Sequence, residues 1–258
     1  MNTRRARVIR WEESPAEVTD ELAIEEPLEI RIGGEPTSVT MRTPGNDPEL
    51  VSGFLLSEGF LAKGALPMIR HIAPNVVDVL SSTAKVGAPR ATIASTSCGL
   101  CGKASIASVH QNFPPVESTM TITRNQLMQM VAKLESAQSS YSRTGGLHAA
   151  AIFDDEGNLL SAYEDVGRHN AVDKCIGSAV LRRQMPLTNH VLLVSSRASF
   201  EIMQKALSAS VPVVAVVSAP SSLAVEFAES SNQTLIGFLR PGRCNVYSHA
   251  ERVLSYLR

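Results

Sequence analysis

Beyond residue 147 short apolar runs alternate with helix-length segments, and this rhythm constrains the fold more than any other feature of the chain. Val191 to Ser195, Val213 to Val217 and Leu235 to Leu239 are strand-sized and largely apolar. The segments before them, His169 to Arg183, Ser199 to Ser210 and Ser221 to Glu229, have the length and polarity of helices. Strands separated by crossover helices lie parallel, with the helices covering the sheet faces. Upstream, Leu147 to Phe153 and Leu159 to Tyr163 flank a turn at Asp154 to Asn158 and predict an antiparallel pair. The expected class is α/β: a mixed, mostly parallel sheet with helices on both faces, plus a smaller β-rich N-terminal domain.

The N-terminal half has a different rhythm. Leu28 to Ile32 alternates with period two, Gly33 and Gly34 supply a turn, and Ser38 to Met41 resumes the strand. Asn46, Asp47, Pro48 and Glu49 then open a helix expected to run through Phe60. Further strands are expected at Ile69 to Ile72, Val76 to Leu80 and Ala91 to Thr96, and a short helix at Ala104 to His110. Phe113, Pro114 and Pro115 form the best boundary, after which Thr123 begins a helix to about Gln138. The expected organisation is a flexible arm over 1–20, a β-rich domain over 21–115 and an α/β domain over 116–258.

With 258 residues, 44% hydrophobic and a net charge of -1, the chain has a globular composition and no field for nucleic acid or an anionic membrane. Anion binding must be local. No apolar run reaches the roughly 18 residues of a membrane helix. Arg4, Arg5, Arg7 and Arg10 are followed by polar residues, unlike a signal peptide. A cytoplasmic protein is expected. Its four cysteines, Cys98, Cys101, Cys175 and Cys244, then point to reactive or metal-binding thiols and isolated core residues.

Cys98 and Cys101 lie in Ser97-Cys-Gly-Leu-Cys-Gly-Lys103, just past an expected strand end. Thiols at this spacing can share a metal, form a disulfide or pass a sulfur atom, and Lys103 favours the thiolate each needs. A structural zinc site would want a second close pair of ligands, and Cys175 and Cys244 have no ligand-spaced companions. A thioredoxin-type role would place the motif at a helix opening, and this one is flanked by glycines.

Three further groups are site candidates, each with an ordinary structural alternative: a satisfied core or edge histidine, a solvated and capped helix start, and an exposed turn. Thr144-Gly-Gly-Leu-His148 places a histidine at a strand start; Ala150 occupies the position where a zinc deaminase has its glutamate, which argues against deamination. Glu164 to Lys174 concentrates Asp165, Arg168, His169, Asn170, Asp173 and Lys174 at a helix start, where anions also bind. The strand-end segment Phe238, Leu239, Arg240, Pro241, Gly242 and Arg243 offers two guanidiniums and an aromatic ring for stacking, or simply a type II turn. Arg197, in Ser195-Ser-Arg197, adds a third strand-end arginine.

Together these motifs resemble the formate dehydrogenase accessory sulfurtransferase family, FdhD, over most of the chain. The resemblance implies a cytidine-deaminase-like fold for the C-terminal region. It also implies a sulfur carrier that takes persulfide sulfur from a cysteine desulfurase and delivers it to the bis-molybdopterin guanine dinucleotide molybdenum cofactor of formate dehydrogenase. By that resemblance Cys98 carries the persulfide, Cys101 relays or assists, and Phe238 to Arg243 bind the guanine-nucleotide cofactor. Lys103, His148, Asp165, Arg168, His169 and Arg197 are further site candidates, no tightly bound metal is expected, and the protein is expected to be a homodimer. Cys244, beside the binding segment, departs from the commoner pattern. The competing reading is a nucleotide-binding chaperone whose thiols are structural or hold zinc.

Overall fold

The computed structural model describes residues 3–61, 64–80, 82 and 113–255. The strand expected at Ala91 to Thr96, the helix expected at Ala104 to His110, and the residues Cys98, Cys101 and Lys103 lie outside the described residues.

The chain begins with a hairpin, β1 (Thr3–Trp11) and β2 (Pro15–Ala23). Residues read from sequence as an irregular arm are therefore regularly paired. A four-stranded sheet follows, formed by β3 (Glu26–Ile32), β4 (Glu35–Arg42), β5 (Ile69–Ala73) and β6 (Val76–Val79), in the order β4-β3-β6-β5. Between β4 and β5 runs α1 (Asp47–Ser57), one turn shorter than expected at its C-terminus. Asn46 precedes it with a left-handed φ of 58° and makes no side-chain cap bond. The helix start is fixed instead by Asp47, which receives Arg42 Nε at 2.9 Å and Nη2 at 3.2 Å in a bidentate pair.

The second half builds the main sheet. β7 (Ile122–Thr123) leads into α2 (Arg124–Ala137), whose Thr123 and Gln126 form a reciprocal capping box. α3 (Tyr141–Thr144) is a single turn before β8 (His148–Asp154) and β9 (Leu159–Asp165). Then come α4 (Arg168–Leu181), β10 (His190–Val194), α5 (Phe200–Ser208), β11 (Val213–Val216), α6 (Ser222–Ser230), β12 (Thr234–Arg240) and β13 (Arg243–Ser248). Near the C-terminus β14 (Val253–Leu254) pairs with β7.

The six strands of this sheet run β13-β12-β11-β10-β8-β9. Only β10, β11 and β12 are mutually parallel, while β8, β9 and β13 pair antiparallel. The sheet is mixed as expected, but it is not mostly parallel, because parallel pairing is confined to strands joined by crossover helices. β13 returns through a tight turn and can only be antiparallel to β12.

Both faces are covered. Alternate residues Ala150, Ile152, Leu192, Val194, Val214 and Val216 pack on the α4, α5 and α6 side. Their neighbours Ala149, Ala151, Phe153, Val191, Leu193 and Val213 pack on α2 through Leu127, Met130, Val131 and Leu134. Burial on both faces explains why these strands read as continuous apolar runs.

The two sheets are joined by α1 and α4. Leu50, Val51 and Leu55 of α1 share a core with Leu28, Ile30, Val77 and Val79 of the small sheet. The helices then cross with their backbones in contact: a Cβ on Gly53 would lie 2.0 Å from the Asp173 carbonyl oxygen, and one on Gly177 would lie 1.8 Å from that of Glu49. No larger residue fits at either crossing position without separating the helices.

Candidate functional site

The carboxyl ends of β10, β11 and β12 meet the start of β8 and the end of β9 along one rim, where open α/β sheets receive ligands. His148 and Asp165 are directly paired across β8 and β9. Beyond the strand ends the chain stays coupled: Ala198 bridges to Pro220, and the Phe238 amide donates to the Ser218 carbonyl at 2.9 Å.

The polar segment Glu164 to Lys174 is largely a structural joint. Asp165 is fully buried and accepts from the Thr43 amide, the Gly167 amide, Asn170 Nδ2 and Lys174 Nζ, the last at 2.7 Å. Lys174 also donates to the Thr43 carbonyl at 3.0 Å, and Asn170 to the Met41 carbonyl at 2.7 Å. These bonds lock the exit of β4 to α4. Glu164 accepts from the amides of Ser140 and Tyr141, fixing α3. Asp173 pairs with Lys205 at 2.7 Å beside Ser57, tying α4 to α5 and α1.

Arg168 and His169 behave differently. His169 Nε2 lies 2.8 Å from Glu201 Oε2 and 3.4 Å from Ser199 Oγ at the start of α5. Burial alone would raise the Glu201 carboxyl, but the His169 bond and charge, then Lys205 and Arg168, hold it below the usual range. Glu201 is thus an ionised partner for the histidine at neutral pH. The Arg168 Nε is shielded from solvent and has no hydrogen-bond acceptor among the described residues.

His148 faces this corner. Burial lowers the pKa of its imidazole, and the positive charges of Arg168 and His169 lower it further, against an opposing pull from Asp165. It lines a cleft of about 520 Å³ with Tyr141, Gly145, Gly146, Ser195 and Val217. A neutral imidazole in such a cleft can donate or accept a hydrogen bond. Ser195 completes the local frame: its Oγ accepts from the Ala149 amide and its own amide donates to the Ala149 carbonyl, both at 2.9 Å.

The Phe238 to Arg243 segment forms the far end of the rim. Gly237 is pressed between Tyr247 and Pro220, where a Cβ would come within 2.8 Å of the tyrosine ring. Phe238 then takes a left-handed φ of 51° and remains 36% exposed. A non-glycine residue in this conformation carries backbone strain, and such strain clusters at ligand sites. Leu239 turns inward and is fully buried in the α2 core, so its side chain cannot line a ligand site. Pro241 and Gly242, with φ 83° at the glycine, form the expected turn between exposed Arg240 and Arg243. Arg124 at the start of α2 donates to the Gly242 carbonyl and brings a third guanidinium to the turn.

Sequence reasoning missed Arg124, Ser199, Glu201 and Tyr247. Each reaches the rim through tertiary packing, and no local motif marks it. The remaining thiols separate clearly. Cys175 is fully buried, donates to the Ala150 carbonyl, and has its pKa pushed up to about 12 by burial. Cys244 is half-buried and raised by burial, with Arg124 opposing. Neither is set up as a thiolate nucleophile. Among the described residues no cluster of three or more His, Cys, Asp or Glu could hold a metal, and no helix is long and apolar enough to cross a membrane.

The chain is thus an α/β protein whose sheet rim gathers exposed arginines, the His169–Glu201 pair and an exposed aromatic in a left-handed conformation at the strand ends. Residues 23–254 match the FdhD/NarQ family model, and the chain belongs to that family. The relative from Mycolicibacterium paratuberculosis, named sulfur carrier protein FdhD, is 48% identical over 90% of this chain and 91% of its own. Proteins of the same name from Streptomyces coelicolor and Sulfolobus acidocaldarius are 46% and 40% identical, covering 97% and 91% of this chain and 95% and 91% of theirs. A crystal structure from Desulfotalea psychrophila, described as a formate dehydrogenase accessory protein, shares the fold with a TM-score of 0.83. It is 23% identical and covers 98% of this chain and 100% of its own.

Proposed function

We propose that this chain is a sulfur carrier, a sulfurtransferase that accepts persulfide sulfur from a cysteine desulfurase and passes it to the bis-molybdopterin guanine dinucleotide molybdenum cofactor destined for formate dehydrogenase. The observation that carries this function is the 48% identity, over nine-tenths of both chains, to a protein named for sulfur carriage. In this reading the β-rich residues 21–115 supply the thiols. Residues 116–258 form a cytidine-deaminase-like scaffold whose strand ends bind the nucleotide, and the protein works in the cytoplasm.

The chemistry assigns one role to each group. The Cys98 thiolate attacks the terminal sulfur of the desulfurase persulfide; that S–S bond breaks, the desulfurase thiolate leaves, and Cys98 holds the persulfide. Attack by the Cys101 thiolate on the Cys98 sulfur expels the carried atom as hydrosulfide to the acceptor. A disulfide remains, which a cellular dithiol reopens. Lys103 stabilises the thiolates. Arg240, Arg243 and Arg124 face the diphosphates, Phe238 stacks on a guanine, and Arg168 with His148 and His169 forms a second polar corner. Asp165 and Leu239 hold the scaffold without touching the ligand. Arg197 is exposed on the same rim and adds to its positive charge.

The test is complementation. In a strain lacking this protein, the Cys98→Ala variant should leave formate dehydrogenase inactive at normal protein levels. Full activity with this variant would reduce the chain to a nucleotide-binding chaperone.

A further inference from the structure

The joint from Glu164 to Lys174 leaves one donor over. Arg168 Nε is shielded from solvent and meets no acceptor among the described residues. Buried polar groups are nearly always bonded, and one that is not calls for an explanation.

The acids around it are already engaged. Asp165 Oδ1 accepts from the Gly167 amide and Asn170 Nδ2, and Oδ2 from the Thr43 amide and Lys174 Nζ. That fills the lone pairs of both oxygens. Glu164 is taken by the amides of Ser140 and Tyr141, and Asp173 by Lys205 and Ser57. Lys205 spends its three protons on Asp173 and Ser57, and Glu201 is turned to His169.

The backbone leading into Arg168 is fixed. The Gly167 amide is bound by Asp165, and a Cβ on Gly167 would come 2.8 Å from Asn170 Nδ2. Arg168 is the first residue of α4, so the positive end of that helix adds to its charge. His148, on the wall of the 520 Å³ cleft, feels that charge. After burial, Arg168 does most to lower its pKa, ahead of His169 and against Asp165. Glu135 and Tyr141 face the same cleft from α2 and α3. A guanidinium with a shielded, unfilled donor suits a phosphate oxygen, whose geometry matches its fork.

We propose that Arg168 is the contact for a diphosphate group, in a subsite of the rim separate from the Phe238 to Arg243 turn. Strands β11, β10 and β8 lie between β12 and β9, which makes four strand spacings, or roughly 19 Å, between the two places. The subsite rests on the reading that this rim receives an anionic cofactor. His169, held by Glu201, and the Asp165 network are its positioning groups.

The His148 imidazole reports on it locally. An anion at Arg168 offsets the charge that holds the His148 pKa down. Inorganic pyrophosphate should therefore move the His148 titration of the full chain, read by nuclear magnetic resonance, to higher pH. The shift should exceed that from sodium chloride at matched ionic strength. Arg168→Met should start from a higher value and show no further shift, whereas the Arg240→Ala/Arg243→Ala double variant should keep it. Arg168→Met should also melt no lower than the wild type, because it removes a shielded donor that has no acceptor. A wild-type response no larger than that to chloride, or a pyrophosphate shift that survives Arg168→Met, would overturn the subsite. So would a shift lost in the double variant, which would give the anion to the turn, or a lowered midpoint in Arg168→Met, which would make Arg168 a structural residue. None of these outcomes touches sulfur loading of Cys98, so failure of the subsite is told apart from failure of the sulfur-carrier reading.

Discussion

Lys174 Nζ lies 2.7 Å from Asp165 Oδ2 with both side chains essentially inaccessible to solvent. The pair closes a network in which Asp165 also accepts from the Thr43 amide, 122 residues earlier in the chain. Removing one partner leaves a buried charge uncompensated, which typically costs about 3–5 kcal/mol. Asp165→Ala and Lys174→Met should each lower the thermal midpoint strongly. The double variant should be less destabilised than the sum, because neither orphaned charge remains. Additive losses in a thermal-melt cycle would show that the two groups do not act as a pair.

Gly53 and Gly177 make a second structural prediction. With the Asp173 carbonyl where a Gly53 Cβ would be, Gly53→Ala must push α1 away from α4. Overpacking of this kind costs about 1–3 kcal/mol or more. The cost should appear in denaturant unfolding of the variant, and a wild-type midpoint would mean that the crossing can open freely.

Phe238 separates stability from binding. Glycine takes its left-handed conformation without strain, so Phe238→Gly should fold at least as stably as the wild type. Loss of base stacking, worth about 1–3 kcal/mol, should weaken guanosine diphosphate binding by about 5- to 150-fold. Arg240→Ala and Arg243→Ala should weaken it further at low salt than at high salt, since they act through charge. Calorimetry showing wild-type affinity in all three variants would remove the turn from the ligand site.

His148 provides a pH signature. Its folded pKa lies below the ordinary 6.5, so the unfolded chain binds the proton more readily. Stability contributed by the neutral imidazole is therefore present above pH 6.5 and is lost as pH falls through the folded value. Replacing His148 by Asn should flatten the stability profile in that acidic window. An unchanged slope would assign the pH dependence to other groups.

Local pattern made much of this fold legible, and its failures have physical causes. The alternation after residue 147 predicted β8 to β12 and their helices, because strands buried on both faces must be apolar throughout. β13 was not read as a strand: Arg243 to Ser248 carries mixed polarity, since it is an edge strand with half-exposed residues. The ribbon at Thr3 to Ala23 gave no signal because charges occupy both of its faces. In the rim, the clustered charges of Glu164 to Lys174 pointed to a site, yet Asp165, Asp173 and Lys174 are joints between distant segments. Only their partners reveal this. Glu201 and Arg124 could not have been chosen from sequence, since each meets the rim by a tertiary contact.

Radiolabelled sulfur tests the proposed persulfide on Cys98. A cysteine desulfurase supplied with labelled cysteine should transfer label to this chain. Under non-reducing digestion the label should lie on the peptide containing Cys98, be released by a dithiol, and be absent from the Cys98→Ala variant. Equal labelling of that variant, or label on the Cys175 or Cys244 peptide instead, would rule out Cys98 as the sulfur carrier.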